Sequence, residues 1–398
     1  MAQRYRALVT PGLEALLESE LRSGPVKRLK RTRGAVEFTA TRRGLYHVLH
    51  KSRLAGSVHW IFAEGLARDP TRLRHKLRGL PWAERLSGVP HLHLRARLRS
   101  PLFAGTGELL SLFQNVLEET LPSMDTGRPL ISTKGAPPAG ALGILIYLEG
   151  REYKIRIDVG GGRLDQRGWR SERSAAPLRA TYAAALLAAL NWHPGRPLID
   201  PLCGSGTILI EAARIAARKS PRLSTYRPAA LRLPDADHNL WTVESQRLAD
   251  LSRSPWAPDT HSPVAAMKPI LLGRDRSATA LQGARRHAAA AEVETLISFD
   301  KASVDRLCAS ALLHSTDESE IPSGVVLANA PYGQRISAGR TVETLVLRYA
   351  AALPGWSLGL LLAQKPPPPP AGFVRREVLH FHHGGLPVKL WLFEGKEC

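Results

Sequence analysis

The chain has 398 residues, 44% of them hydrophobic and 23% charged, a composition suited to a globular protein with two or more cores. It holds no run of 18 or more apolar residues and no apolar segment behind a basic flank near its start, which argues against a membrane span and a secretory leader. The net charge of +20 is uneven: residues 1–100 carry 21 basic and 7 acidic side chains, a net of +14, which leaves +6 for the rest.

Most of that excess is Arg, whose planar fork suits phosphate oxygens, and no basic amphipathic anchor accompanies it. Nucleic acid is therefore the expected polyanion rather than a membrane. The three cysteines (Cys203, Cys308 and Cys398) have neither zinc spacing nor a CxxC pair. They fit a reducing, cytoplasmic setting and give a metal site no support.

Residues 4–9 (RYRALV) predict a strand, and Thr10-Pro11 predicts the start of a helix with Leu13, Leu16, Leu17 and Leu21, stopped by Gly24. Strand-like runs at 26–29 and 34–39 and a helix from Thr41 complete a small β-α-β-β-α module. Strands then follow at 59–64, 91–98, 142–148 and 153–159, with a helix over 107–120. Arg68, Arg72, Arg74, Lys76, Arg78, Arg95, Arg97 and Arg99 make this stretch a phosphate-facing surface by their number.

The connector "GGGRLDQRGWR" (160–170) marks a boundary between an N-terminal region over 1–160 and a second domain over 161–398. Beyond it strands and helices alternate. A helix opening at Thr181 is followed by strand 197–199, helix 206–218, strand 269–272 and helix 278–290. Strands 296–299 and 324–328, helix 342–353, strand 357–363 and two runs near 374–381 and 388–393 complete the series. This alternation predicts a doubly wound α/β sheet, with the last strand as its antiparallel edge. Residues 220–265, Pro- and Ser-rich around a helical piece with Trp241, have the character of an insertion.

Three motifs carry chemistry. In "LIDPLCGSGTILIEAA" (198–213) a strand ends at Asp200 and a helix opens at Thr207. Gly204 and Gly206 let backbone approach a ligand, and the helix N-terminus attracts an anionic group. The turn lacks the third glycine of GxGxxG and the lysine of a P-loop. In "ILLGRDRSATALQGARRHA" (270–288), Asp275 ends a strand where doubly wound folds place the carboxylate that accepts ribose hydroxyls.

The third motif, "SGVVLANAPYGQRI" (323–336), brings an amide, a backbone carbonyl and an aromatic ring to one strand end. Asn329 and the carbonyl of Ala330 can each accept one N–H of an exocyclic amine. Pro331 stiffens the turn, and the ring of Tyr332 can stack on the base. Acceptors on both N–H bonds favour the partly positive nitrogen that develops during attack on a methyl group.

These motifs, in this order, resemble the class I S-adenosylmethionine-dependent amino-methyltransferases, whose pattern at the catalytic strand is Asn-Pro-Pro-Tyr. More narrowly, "TPGLEALLESEL", "SRLAGSVHW", "LDQRGWR" with "APLRATYAAALL", and "HHGGLPVKLWLF" are similar to the THUMP-domain RNA methyltransferases of the 23S rRNA guanine-N2 type. The resemblance implies a doubly wound Rossmann-like methyltransferase sheet with an N-terminal α+β THUMP-type RNA-binding module. It implies S-adenosylmethionine as cofactor, held by Asp200, Pro201, Cys203, Gly204, Gly206 and Thr207, with Asp275 on its ribose and the Pro177 region at its methionine end. Asn329, Ala330, Pro331 and Tyr332 become the target-base clamp. The chain departs from the family pattern at two positions. Ala330 stands where the family has Pro, and Ser303 aligns where an acid usually meets the adenine amine, with Asp300 and Asp305 nearby.

The expected activity is methylation of the N2 amine of a guanosine in structured RNA, 23S rRNA above tRNA, without a metal. The alternatives are a tRNA enzyme, a DNA amino-methyltransferase, or a non-catalytic RNA-binding or ribosome assembly factor.

Overall fold

A computed structural model describes residues 2–122, 129–170, 178–253, 270–304, 323–330, 338–353 and 355–395. They form two compact units that interleave along the chain. One takes residues 1–9, 18–164 and 225–244, and the other 10–17, 165–224 and 245–398. No helix among the described residues is long and apolar enough to cross a membrane.

The first unit is built on one eight-stranded sheet. Its chain order is β1 (Gln3–Leu8), α1 (Glu14–Arg22), β2 (Lys27–Thr32), β3 (Ala35–Ala40), α2 (Arg42–Lys51) and β4 (Ser57–Leu66). Then come α3 (Pro70–Arg78), α4 (Trp82–Leu86), β5 (His91–Arg99), α5 (Thr106–Thr120), β6 (Leu130–Ser132), β7 (Leu142–Glu149) and β8 (Glu152–Asp158). The spatial order is β2-β3-β1-β4-β8-β7-β5-β6. The first four strands are antiparallel in the split β-α-β manner, as the opening β-α-β-β-α pattern predicts. Alternation puts Tyr5, Ala7, Val36, Phe38, Val58 and Trp60 into one buried face. Thr41 caps α2 by accepting from the Gly44 N–H.

The structure adds α3, α4 and β6, which the sequence pattern leaves as loop. It also moves the start of α1 from Pro11 to Glu14. Thr10 to Gly12 instead form a turn, with Gly12 at φ +100° and the Glu14 carboxylate accepting from its N–H. A Cβ at Gly12 would lie 2.0 Å from the carbonyl oxygen of His380, so backbone passes backbone too closely for a side chain. The stretch around Trp241 is more than an insertion. Its indole stacks on His50 at 3.7 Å and meets Tyr46 edge-on at 5.4 Å, inside the first unit's core.

The second unit continues with α6 (Ala180–Ala189), β9 (Leu198–Asp200), α7 (Thr207–Ala216), the part of α8 (His238–Arg253) from Ser245 onwards, β10 (Leu271–Asp275), α9 (Ala278–Ala290) and β11 (Ser298–Lys301). It closes with β12 (Val325–Asn329), α10 (Ala338–Ala352), β13 (Ser357–Leu362), β14 (Phe373–His383) and β15 (Leu386–Gly395). The sheet order is β11-β10-β9-β12-β13-β15-β14. The first five strands run parallel, and β15 and β14 are antiparallel. This is the doubly wound α/β sheet that the strand–helix alternation implies, with one correction. The edge strand is β14, and β15 sits between it and β13, which is why Val388, Leu390 and Phe393 are fully buried.

Strand order reverses between β9 and β12, and such a switch point opens a crevice at the C-terminal ends of parallel strands. One face of the sheet packs on α10, through Val326, Ala328 and Ala330 against Val342, Leu345, Val346 and Tyr349. The opposite face meets α7, where a Cβ on Gly273 would strike Leu209 at 2.6 Å.

Candidate active site

The pleat decides which side chains share the crevice. In register, Leu198 lies beside Leu271 and Val325, and Asp200 beside Gly273. With a period of two, Asp200, Asp275 and Asn329 all belong to the face that carries α7. Asp275 and Asn329 end β10 and β12, each two residues (about 6.6 Å) beyond the level of Asp200 on the strand between them. Three polar residues thus close three adjacent parallel strands on one face at the switch point.

The turn after β9 is held by its own acids. The Asp200 carboxylate accepts from the Leu202 N–H at 3.1 Å, and Asp275 Oδ2 accepts from the Gly204 N–H at 3.0 Å. The Cys203 N–H donates to the Arg274 carbonyl at 2.9 Å, which ties the turn to β10. Gly204 and Gly206 sit at φ +52° and +76°, in the left-handed region. No side chain caps α7, so its first N–H groups face the turn. Asp275 Oδ1 accepts from the Ser277 N–H, while Ser277 itself caps α9. Asp275 is therefore no helix cap, and each of its oxygens keeps acceptor capacity.

Burial pushes the Asp200 carboxyl up to about 8; the Leu202 N–H opposes this and the Asp275 charge adds to it. Burial also raises the Cys203 thiol. Asn329 Oδ1 is buried and has no hydrogen-bond partner among the described residues, a costly state for an amide oxygen unless a further donor is supplied. Ala330 points to the other face. Its methyl is fully buried in the core that includes α10, so the residue in place of the family's Pro is a packing residue.

Of the residues singled out in the sequence, Asp200, Pro201, Cys203, Gly204, Gly206, Thr207 and Asp275 come together around this turn. Asn329 joins them from the adjacent strand. Ser303 is exposed just past β11, after an Ala302 N–H that donates to the Asp275 carbonyl at 3.2 Å. Asp300 lies 3.8 Å from the Arg274 guanidinium. Pro331, Tyr332, Pro177 and Asp305 lie outside the described residues.

One residue of this neighbourhood escaped the sequence reading. Arg170, from the Gly/Arg-rich connector, donates through Nη2 to Thr207 Oγ1 at 2.5 Å and to the Leu178 carbonyl at 3.3 Å. Its only sequence signal is an Arg beside Trp169 ahead of the glycine turn.

An acidic strand end beside a glycine turn, a second acid on the next strand and an amide oxygen without a partner among the described residues have the chemistry to hold a nucleoside and a hydrogen-bond donor. The fold and site thus define a doubly wound, Rossmann-like domain. Residues 167–353 match the UPF0020 family, the RMKL-like methyltransferase domain, and residues 5–59 match the RlmL ferredoxin-like domain. Residues 167–353 are thus an RMKL-like methyltransferase domain and residues 5–59 an RlmL-type ferredoxin-like domain.

It is 29% identical over 352 residues to the Ribosomal RNA large subunit methyltransferase K/L of Photobacterium profundum, covering 86% of this chain and 45% of that protein. It is 31% identical to the protein of the same name from Aliivibrio salmonicida, covering 87% and 46%. The chain spans about half the length of these curated relatives. Among solved structures, SMU.472 complexed with SAH shares 21% identity with a TM-score of 0.78, covering 100% of this chain and 99% of the other. TrmN from Thermus thermophilus shares 20% with a TM-score of 0.67, covering all of both chains. At these identities the likeness shows the fold.

Proposed function

We propose that this protein transfers a methyl group from S-adenosylmethionine to the N2 amine of a guanosine in large-subunit (23S) ribosomal RNA, in the cytoplasm. The observation that carries the reading is Asn329 Oδ1, buried without a partner among the described residues at the end of the switch-point strand. The names of the curated relatives favour ribosomal RNA over tRNA. In this reading residues 1–160 are the RNA-binding region, with a THUMP-type module, and residues 161–398 the methyltransferase domain.

The residues present fit the cofactor. A Cβ at Gly206 would meet Ala284 at 3.2 Å and Phe299 at 3.4 Å, and the turn's left-handed glycines leave backbone bare. Asp275 accepts the ribose hydroxyls, and the α7 N-terminus faces the anionic end. When bound, S-adenosylmethionine supplies an electrophilic methyl on a sulfonium.

Asn329 orients the target amine through one N–H, and the carbonyl of Ala330 takes the other. Both contacts strengthen as the nitrogen becomes partly positive, so they stabilise the transition state more than the ground state. Tyr332 stacks on the base, which must first leave its helix stack.

The test is methyl transfer to unmodified ribosomal RNA and tRNA by the wild type and Asn329→Ala. The variant should lose about 100- to 1,000-fold in turnover. Because the amide oxygen has no partner to lose, folding stability should fall by less than about 1 kcal/mol. Unchanged activity would remove Asn329 from the clamp, and preferential methylation of tRNA would replace the ribosomal substrate.

A further inference from the structure

Arg170 is a half-buried cation in an unusual place. Burial pushes its guanidinium below its usual range, with nearby Asp165 opposing the shift. Even so, Arg stays charged at any physiological pH. Its guanidinium lies 5.2 Å from the centre of the Trp169 ring, and its contacts are neutral, to Thr207 Oγ1 and the Leu178 carbonyl. Its Nε is buried without a partner, and no carboxylate among the described residues forms an ion pair with it. Thr207 is the first residue of α7, whose N-terminus has no side-chain cap and carries roughly half a positive charge. A cation held against the positive end of a helix is disfavoured unless an anion joins the two.

A sulfonium carries three substituents. Following the proposed function, on which this inference rests, Asp275 takes the ribose of the adenosyl group and Asn329 marks the side towards which the methyl leaves. The third substituent, the aminocarboxypropyl chain, is left the remaining direction, past the end of β9 towards the start of α7. We infer that Arg170 is the receptor for the cofactor's carboxylate, bridging it to the α7 N-terminus and making the site selective for a ligand with an amino-acid end. Such a charge-assisted pair has the geometry Arg provides and Lys does not.

The test is calorimetry on the full chain with S-adenosylhomocysteine and 5′-methylthioadenosine, which share the adenosine and thioether but differ in the amino-acid end. Wild type should prefer S-adenosylhomocysteine. In Arg170→Gln that ligand should bind about 10- to 100-fold more weakly, while 5′-methylthioadenosine changes less than about threefold. Arg170→Lys, which keeps the charge without the fork, should recover part of the preference.

Equal weakening of both ligands would mean that Arg170 only supports the fold, and an undiminished preference would mean that it does not touch the carboxylate. Either result overturns the inference and leaves the proposed function standing. A wild type that binds neither ligand overturns both. Should Arg170→Gln fail to fold, an unaltered ligand preference in Arg170→Lys overturns the assignment.

Discussion

Asn329 and Ala330 are neighbours in sequence with opposite surroundings, because a strand sends successive side chains to opposite faces. One presents an amide oxygen without a partner among the described residues, and the other fills the core on the α10 side. A Pro at 330 would stiffen the turn, yet the acceptor assigned there belongs to the backbone, so Ala retains it. Asp200 makes the residue scale testable by pH. Its carboxyl moves from 3.8 to about 8 on folding, so the folded state holds the proton more tightly. That stabilisation is complete below about pH 4 and is lost as pH rises through 8, at up to about 1.4 kcal/mol per pH unit. Asp200→Asn keeps an acceptor for the Leu202 N–H and cannot titrate. Denaturant midpoints of the cofactor-free wild type should fall from pH 4 to 8, and those of the variant should stay flatter; parallel curves would remove Asp200 as the source.

Among the elements, α7 opens on a glycine in the left-handed region. Gly206 precedes it at φ +76°, with its N–H on the Cys203 carbonyl at 2.8 Å and its own carbonyl accepting from the Ile210 N–H. Any L-residue there costs about 1–2 kcal/mol in backbone strain, before Ala284 and Phe299 are displaced. Gly206→Ala should therefore unfold about 1–2 kcal/mol more easily and bind the cofactor less tightly. Gly283→Ala on α9, where nothing lies within 4 Å of the added methyl, should gain up to about 1 kcal/mol. Chemical denaturation of the pair separates a special turn from a general glycine effect, and equal shifts of the two variants would discard the argument. The basic elements differ in the same way. Arg74 and Arg78 on α3 share Glu119, whereas Arg95, Arg97 and Arg99 alternate along an exposed side of β5. Lys27, Arg28, Lys30 and Arg31 line β2, an edge strand that such charges also protect from unwanted pairing.

At the scale of the whole molecule, net charge and fold divide the work. The +14 of residues 1–100 falls largely in the first unit, while the strand-end acids of the candidate site belong to the second. If the first unit carries the RNA footprint, binding should weaken steeply with salt. A surface engaging about six phosphates loses about 1,000-fold in affinity between 50 and 200 mM. Titration of labelled ribosomal RNA against salt measures the slope, and a flat response would assign the charge to solubility alone.

The sequence by itself determined the order of most strands and helices, the glycine turn and the acid that follows it. Each rests on local rules, namely apolar periodicity, left-handed glycines and strand-end position, and these survive in one dimension. It also supplied the basic bias, which is a sum over residues and needs no coordinates. Only the tertiary structure decided which of β14 and β15 is the edge, because strand order depends on non-local pairing. Packing alone gave Trp241 to the first unit, since its stacking on His50 joins residues 191 positions apart. Arg170 belongs here too. Nothing in "RGWR" announces a half-buried cation with no ion-pair partner among the described residues, and its meaning appears only where the chain lays it against the first turn of α7.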